Sequence, residues 1–175
     1  MNEPDLDEMA PKIGIMGDSH DNLELIRKAI DRFNRDKVSH VLHTGDIVSP
    51  FAAKELGKLS CPFTVTFGNN DGERLVLRDT VTSLGGKLLW PLGTMSIDGR
   101  KIALVHGEDR EIVNALARSG DFSLVACGHW HDPAIRKTDS GNLIVNPGET
   151  CGYLTGRATV AVADLEAGEA RIVDL

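Results

Sequence analysis

The chain has 175 residues, enough for one domain with a buried core and too few for two of ordinary size. Its 26 acidic and 19 basic residues give a formal net charge of -7, which disfavours nucleic-acid polymers and anionic membrane surfaces but leaves a small phosphate ester open. Three well-separated cysteines, Cys61, Cys127 and Cys151, argue against a disulfide framework, and no run approaches membrane-spanning length. The start, "MNEPDLDEMAP", is acidic and polar, unlike a signal peptide. The expectations are a loose tail over residues 1–11, one domain over 12–175 and a cytoplasmic location with no membrane partner. A homo-oligomer stays open.

In chain order, an apolar run from Lys12 to Met16 reads as a strand that ends in the loop "GDSHDN" and passes into the helix "LELIRKAIDRFNR". Leu23, Ile26, Ile30 and Phe33 fall at helical spacing, and Asp21 with Glu24 resembles an acidic capping box. "HVLHTGDIVSP" repeats the strand and loop, "FAAKELGKL" a short helix, and "PFTVTFGNND" a third strand closing in Gly68 and polar residues. Such units predict an α/β fold with right-handed crossovers. The second half changes character. Asp98-Gly99 between alternating apolar segments is a hairpin signal, "EIVNALARSG" a helix ended by Gly120, and "FSLVACG" a buried strand. "AIRKTDSGNLIVNPG" and "ATVAVADLEAGEARIVDL" read as further strand pairs, so two packed sheets with flanking helices are expected.

Polar residues gather where the strands end: Asp18-Ser19-His20, Asp46, Asn69-Asn70-Asp71, His106 and His129-Trp130-His131. The carboxyl ends of strands form the usual crevice of an open α/β sheet, so five segments would deliver side chains to one edge. Imidazoles, carboxylates and an amide oxygen suit divalent metals such as manganese, iron, zinc or nickel. At i, i+2 spacing, His129 and His131 point to one side if the backbone stays extended, without having to reach the same ion.

The blocks D-x-H, G-D, G-N-x-D, a lone H and G-H-x-H, in this order, resemble the calcineurin-like metallophosphoesterases, and among them the small single-domain phosphodiesterases. "IVNPGE", from Ile144 to Glu149, resembles the N-P-G segment of the same proteins. The resemblance runs from Lys12 over nearly the whole chain. It implies a four-layer αββα sandwich of two mixed sheets flanked by helices, and two divalent ions, manganese first with nickel, iron or zinc as alternatives. One ion would be held by Asp18, His20 and His131, the other by Asn69, His106 and His129, with Asp46 bridging. It further implies a metal-bridging hydroxide that attacks phosphorus in a small phosphodiester, with Asp46, Asn70, His106 and His129 nearest the reaction. Asn70 departs from the larger family, where a histidine commonly follows the ligand asparagine. An amide can bond a phosphate oxygen but cannot serve as a general acid, so esters with low-pKa leaving groups are expected to react faster than alkyl esters.

Other residues have plainer readings. Asp21 and Asn22 read as helix caps, and His40 as exposed. His43 suits either a hydrogen bond behind a ligand or packing, Asp71 either ligand orientation or loop shape, and Trp130 either a pocket wall or packing. Asn146 and Glu149 come near the site only through the resemblance. Cys151 to Arg157 fits C-x5-R, the loop of cysteine-dependent phosphatases, but the alternating "ATVAVADL" that follows reads as a strand where that chemistry needs a helix N-terminus. The competing class is a metal-bound scaffold resembling the retromer subunit of the same fold; the full set of seven candidate ligands favours an enzyme.

Overall fold

The structure, a computed structural model, describes residues 11–175. The expectation of a loose tail falls almost entirely on residues 1–10, outside the described residues. The first half alternates strand and helix: β1 (Lys12–Met16), α1 (Leu23–Arg35), β2 (His40–His43), α2 (Pro50–Glu55), β3 (Phe63–Val65), α3 (Arg74–Ser83) and β4 (Lys87–Leu88). The second half continues with β5 (Gly93–Ile97), β6 (Arg100–Leu104), α4 (Arg110–Arg118), β7 (Leu124–Ala126), β8 (Ala134–Lys137), β9 (Leu143–Asn146), β10 (Thr159–Asp164) and β11 (Glu169–Asp174). One sheet has the order β11-β10-β1-β2-β3-β4 and the other β5-β6-β7-β9-β8. Strands β1 to β4 run parallel, β10 joins β1 antiparallel, and the hairpin expected at Asp98-Gly99 is β5 paired with β6.

Strand alternation builds the layers. From the first sheet, Ile13, Ile15, Leu42 and Ala161 face inward to meet Ile102, Leu104, Leu124 and Val145 of the second. The opposite face of the first sheet, with Met16, Val41 and Val160, packs on Ile26, Ile30 and Phe33 of α1 and Leu77 and Val81 of α3. The outer face of the second sheet, through Ala103, Val125 and Ile144, takes Val113 and Ala117 of α4. Each fully buried Ile, Leu or Val contributes about 1.5–3 kcal/mol. The result is the expected mixed α/β arrangement of two sheets with helices outside.

The helix starts differ in detail from expectation. Asn22 alone caps α1, its side chain accepting from Leu25 N at 3.3 Å, while Asp21 turns away to accept from Ser49 N and Oγ at 2.9 and 2.7 Å. Glu24 pairs with Lys28 instead of closing a box. Ser49 in turn caps α2, which starts at Pro50, a residue earlier than read, and tightens into a 3-10 turn over Leu56–Lys58. His40 is half-buried, its Nε2 2.9 Å from Thr64 Oγ1, because its strand lies inside the sheet and not at its edge. Helix α3 and the two-residue β4 were not expected. Leu75 and Val76 point outward beside buried Leu77, which blurs the helical period. Among the described residues, no helix is long and apolar enough to cross a membrane.

Candidate metal centre

The loops after β1, β2, β3, β6 and β7 converge at one edge where the two sheets meet. Asp18 N donates to Gly45 O at 3.0 Å, Ser19 N and His20 N to Asp46 O at 3.1 and 3.0 Å, and Gly128 N to His106 O at 2.7 Å. Glycine allows this approach. A Cβ on Gly68 would collide with Asp46 Oδ1, and one on Gly128 would stand 2.7 Å from Asp18 Oδ2. Five of the seven candidate ligands have left-handed backbones: Asp18, His20, Asp46, His129 and His131, with φ of 47°, 39°, 57°, 71° and 60°. Such a backbone costs a non-glycine residue on the order of 1–3 kcal/mol, a strain that clusters at functional sites. His129 and His131 are therefore not on an extended segment, and they reach different neighbours.

Two donor groups result. Asp18 Oδ1 lies 4.0 Å from His20 Nε2 and 3.7 Å from His131 Nε2. Asn69 Oδ1 lies 3.0 Å from His106 Nε2 and 2.9 Å from His129 Nδ1. Between the groups, Asp46 Oδ2 is 3.6 Å from His20 Nε2 and 3.5 Å from His106 Nε2. Asn70 turns inward, donating from N to Asp46 Oδ1 and from Nδ2 to Asp46 Oδ2, both at 2.8 Å.

A cation fits this donor set. Asp18 Oδ1 and His20 Nε2 are buried and have no hydrogen-bond partner among the described residues, a costly state unless something charged sits between them. The spacings of 3.6 to 4.0 Å are too long for hydrogen bonds, whereas ligands holding one ion at about 2.0–2.2 Å lie roughly 3–4 Å apart. The ligand atoms of Asp18, His20 and His131 all lie within 4.8 Å of one another, as do those of Asp18, Asp46 and His106.

The protonation states follow from burial and neighbours. Burial raises the Asp18 carboxyl to about 6, although His106 and His131 oppose the shift. Burial would also raise Asp46, but hydrogen bonds from His106 and Asn70 outweigh it and hold its carboxyl far below the usual range. Against its own burial, His106 is raised by Asp46. Burial lowers His20, and lowers His129 with help from His106.

Behind the ligands stands a frame. Glu149, fully buried, holds His131 Nδ1 at 2.7 Å and accepts from Leu154 N, Thr155 N and Thr155 Oγ1. Burial would raise its carboxyl, but those donors bring it down to about 2. His106 Nδ1 donates to Thr44 O at 2.8 Å. Asp71 shapes two loops at once, accepting from Asp46 N, Val48 N and Gly68 N. Asn146 Nδ2 donates to Gly128 O. His43 is buried, bonded to Ser19 Oγ at 3.0 Å and accepting from Gly45 N at 3.2 Å, and burial lowers its pKa to about 3. Trp130 packs with α4, where Arg110 lies 4.7 Å from its ring. The partnerships of Ser19, Thr44, Leu154 and Thr155 were not read from sequence, and no spacing signal could have found them.

The C-x5-R segment does not form a phosphate loop. Burial raises the Cys151 thiol to about 12, Sγ faces Glu149 Oε2 at 3.3 Å, Arg157 Nη2 bonds Asp174 at 3.0 Å, and β10 follows where a helix would be needed.

Two packed mixed sheets with an acidic and histidine-rich edge define a phosphoesterase architecture, and residues 12–168 match the calcineurin-like phosphoesterase superfamily domain. The chain belongs to that superfamily. It is 39% identical over 165 residues to phosphodiesterase MJ0936 of Methanocaldococcus jannaschii, covering 94% of this chain and 99% of that one. The solved structure of an archaeal phosphodiesterase superposes with a TM-score of 0.89 at 39% identity, over 94% of this chain and 99% of the other. Vps29 of Chaetomium thermophilum has the same fold at 18% identity and a TM-score of 0.69, over 95% and 96% of the two chains.

Proposed function

We propose that this chain is a two-metal phosphodiesterase in which Asp18, His20 and His131 hold one cation, Asn69, His106 and His129 the other, and Asp46 both. The observation that carries the reading is the place of Asp46 Oδ2, 3.6 Å from His20 and 3.5 Å from His106 at the meeting of two separate donor groups. The 39% identity to a phosphodiesterase supports the reaction class. Two bound cations would make water a nucleophile near neutral pH and neutralise charge on the phosphoryl oxygens. The protein's part is to fix geometry. Glu149 and the Thr44 carbonyl hold the Nδ1 sides of His131 and His106, which turns each Nε2 towards Asp46 or Asp18. Asn70 donates and cannot protonate a leaving alkoxide, so the reading favours esters whose leaving group departs unaided. Manganese is the first choice of metal, a small diester the substrate and the cytoplasm the location, in keeping with three free cysteines.

The test is hydrolysis of bis(p-nitrophenyl) phosphate by chelator-stripped protein before and after manganese is added, with Asp46→Asn as control. Activity should appear with metal and drop by roughly 10²–10³-fold in the variant. No turnover with manganese, nickel, zinc or iron despite metal binding would overturn the enzyme reading.

A further inference from the structure

Beside His106 the edge opens into a cavity of about 200 Å³ between the α3–β4 side of the first sheet and α4 of the second. Its wall includes Phe67, Arg74, Trp90, Glu108 and Ile112, with His106 itself at the boundary. Arg74 organises that wall. Its guanidinium carbon lies 5.2 Å from the centre of the Phe67 ring and 4.8 Å from that of Trp90, and the two rings meet edge to face at 6.3 Å. Nε and Nη2 donate to the carbonyls of Asp71 and Gly68, both at 3.1 Å. The guanidinium is thus spent on the loop that carries Asn69 and on two aromatic faces, and it is held rigid in the process.

Trp90 and Ile112 keep 51% and 55% of their surface exposed although they line a concavity that touches a candidate ligand. Large apolar side chains left bare in such a place mark a ligand surface. The cavity is below the roughly 300–1,000 Å³ of whole-ligand pockets, so it holds one part of a substrate whose phosphate lies at His106. The cavity disfavours an anion, because the Arg74 guanidinium is committed to two carbonyls and the Asp109 carboxylate to the start of α4, where it accepts from Glu111 N and Ile112 N, which leaves Glu108 as the uncommitted charge. An indole face suits a planar ring, and the Glu108 carboxylate can accept only from a donor such as an exocyclic amine.

We infer that this cavity receives the amine-bearing heteroaromatic base of a nucleoside phosphodiester, stacked on Trp90, while its phosphate occupies the centre at Asp46 and His106. The inference rests on the phosphodiesterase reading and adds the substrate class to it. Stacking of a base on an aromatic side chain should be visible in selectivity.

The experiment compares two substrates with the same leaving group, adenosine 5′-(p-nitrophenyl phosphate) and methyl p-nitrophenyl phosphate, on the manganese-loaded native protein and Trp90→Ala. The native protein should prefer the adenosine ester, and the ratio of the two kcat/KM values should fall about tenfold in Trp90→Ala, with Trp90→Phe retaining much of the preference. An unchanged ratio overturns the cavity assignment while leaving the phosphodiesterase reading intact. If neither ester is hydrolysed, that reading fails and the cavity is decided separately, in Trp130→Phe with zinc present, where Trp90 is the remaining tryptophan. Adenosine should then quench its fluorescence saturably, and no quenching overturns the inference.

Discussion

The two halves of the candidate centre solve the same problem in different ways. In the half made by Asp18, His20 and His131, buried Asp18 Oδ1 and His20 Nε2 have no partner among the described residues, and His131 is clamped from behind by Glu149. In the half made by Asn69, His106 and His129, the amide oxygen of Asn69 already meets both imidazoles at 3.0 and 2.9 Å, and Asn69 itself is exposed. The first half is costly without a cation, since burial pushes the Asp18 carboxyl towards its neutral form. The second half satisfies itself and must break those hydrogen bonds to bind. Two cations should therefore bind with unequal affinity, the tighter at Asp18.

Calorimetric titration of the stripped protein with manganese should resolve two classes of site. The largest expected change is in Asp18→Asn, which should remove the tight class and leave the weak one, a loss beyond the roughly 10- to 100-fold that removal of an outer partner costs. If instead the weak class vanishes, the comparison is reversed. Glu149→Gln should have the next largest effect, weakening the tight class by that 10- to 100-fold with the weak class little changed. Equal weakening of both would mean that Glu149 supports the whole edge and not His131 alone.

A smaller effect concerns the frame beneath the first half, where His43 joins the Ser19 loop to Gly45. Burial lowers its pKa from about 6.5 to about 3. Between those values the unfolded chain binds a proton that the folded chain does not, so stability falls as pH falls. The contribution of neutral His43 is complete above pH 6.5 and is lost as pH drops through 3. In metal-free protein, the unfolding free energy measured by urea titration should decline less steeply from pH 6.5 to 4.5 in His43→Gln than in the native chain. Parallel slopes would place the acid sensitivity elsewhere.

Much of this was legible in the sequence for definite reasons. The strands with alternating inward residues, such as Ile13 and Ile15, and the Asp98-Gly99 hairpin carry their own local signals. The polar blocks at the strand ends also show themselves, each beside glycine, while their division into two ligand groups came from the family resemblance. What could not be read is how loops turn. The left-handed backbone at His129 and His131 decides which neighbour each imidazole meets, and no spacing rule encodes it. Asp21 and Asn22 looked like one cap but diverge, Asp21 to Ser49 and Asn22 to Leu25 and to the carbonyl of Cys151. Helix α3 was hidden by outward-facing Leu75 and Val76, and with it the cluster of Phe67, Arg74 and Trp90, three residues with no pattern in common.

The left-handed backbone at five of the seven candidate ligands also decides what replacing them would do to the fold. Glycine relieves a positive φ that aspartate and histidine bear under strain, so an exchange for glycine relaxes the backbone while removing a donor, whereas a β-branched residue would strain it further. Exchange of such a ligand for glycine therefore removes the chemistry while sparing the two-sheet framework that strain.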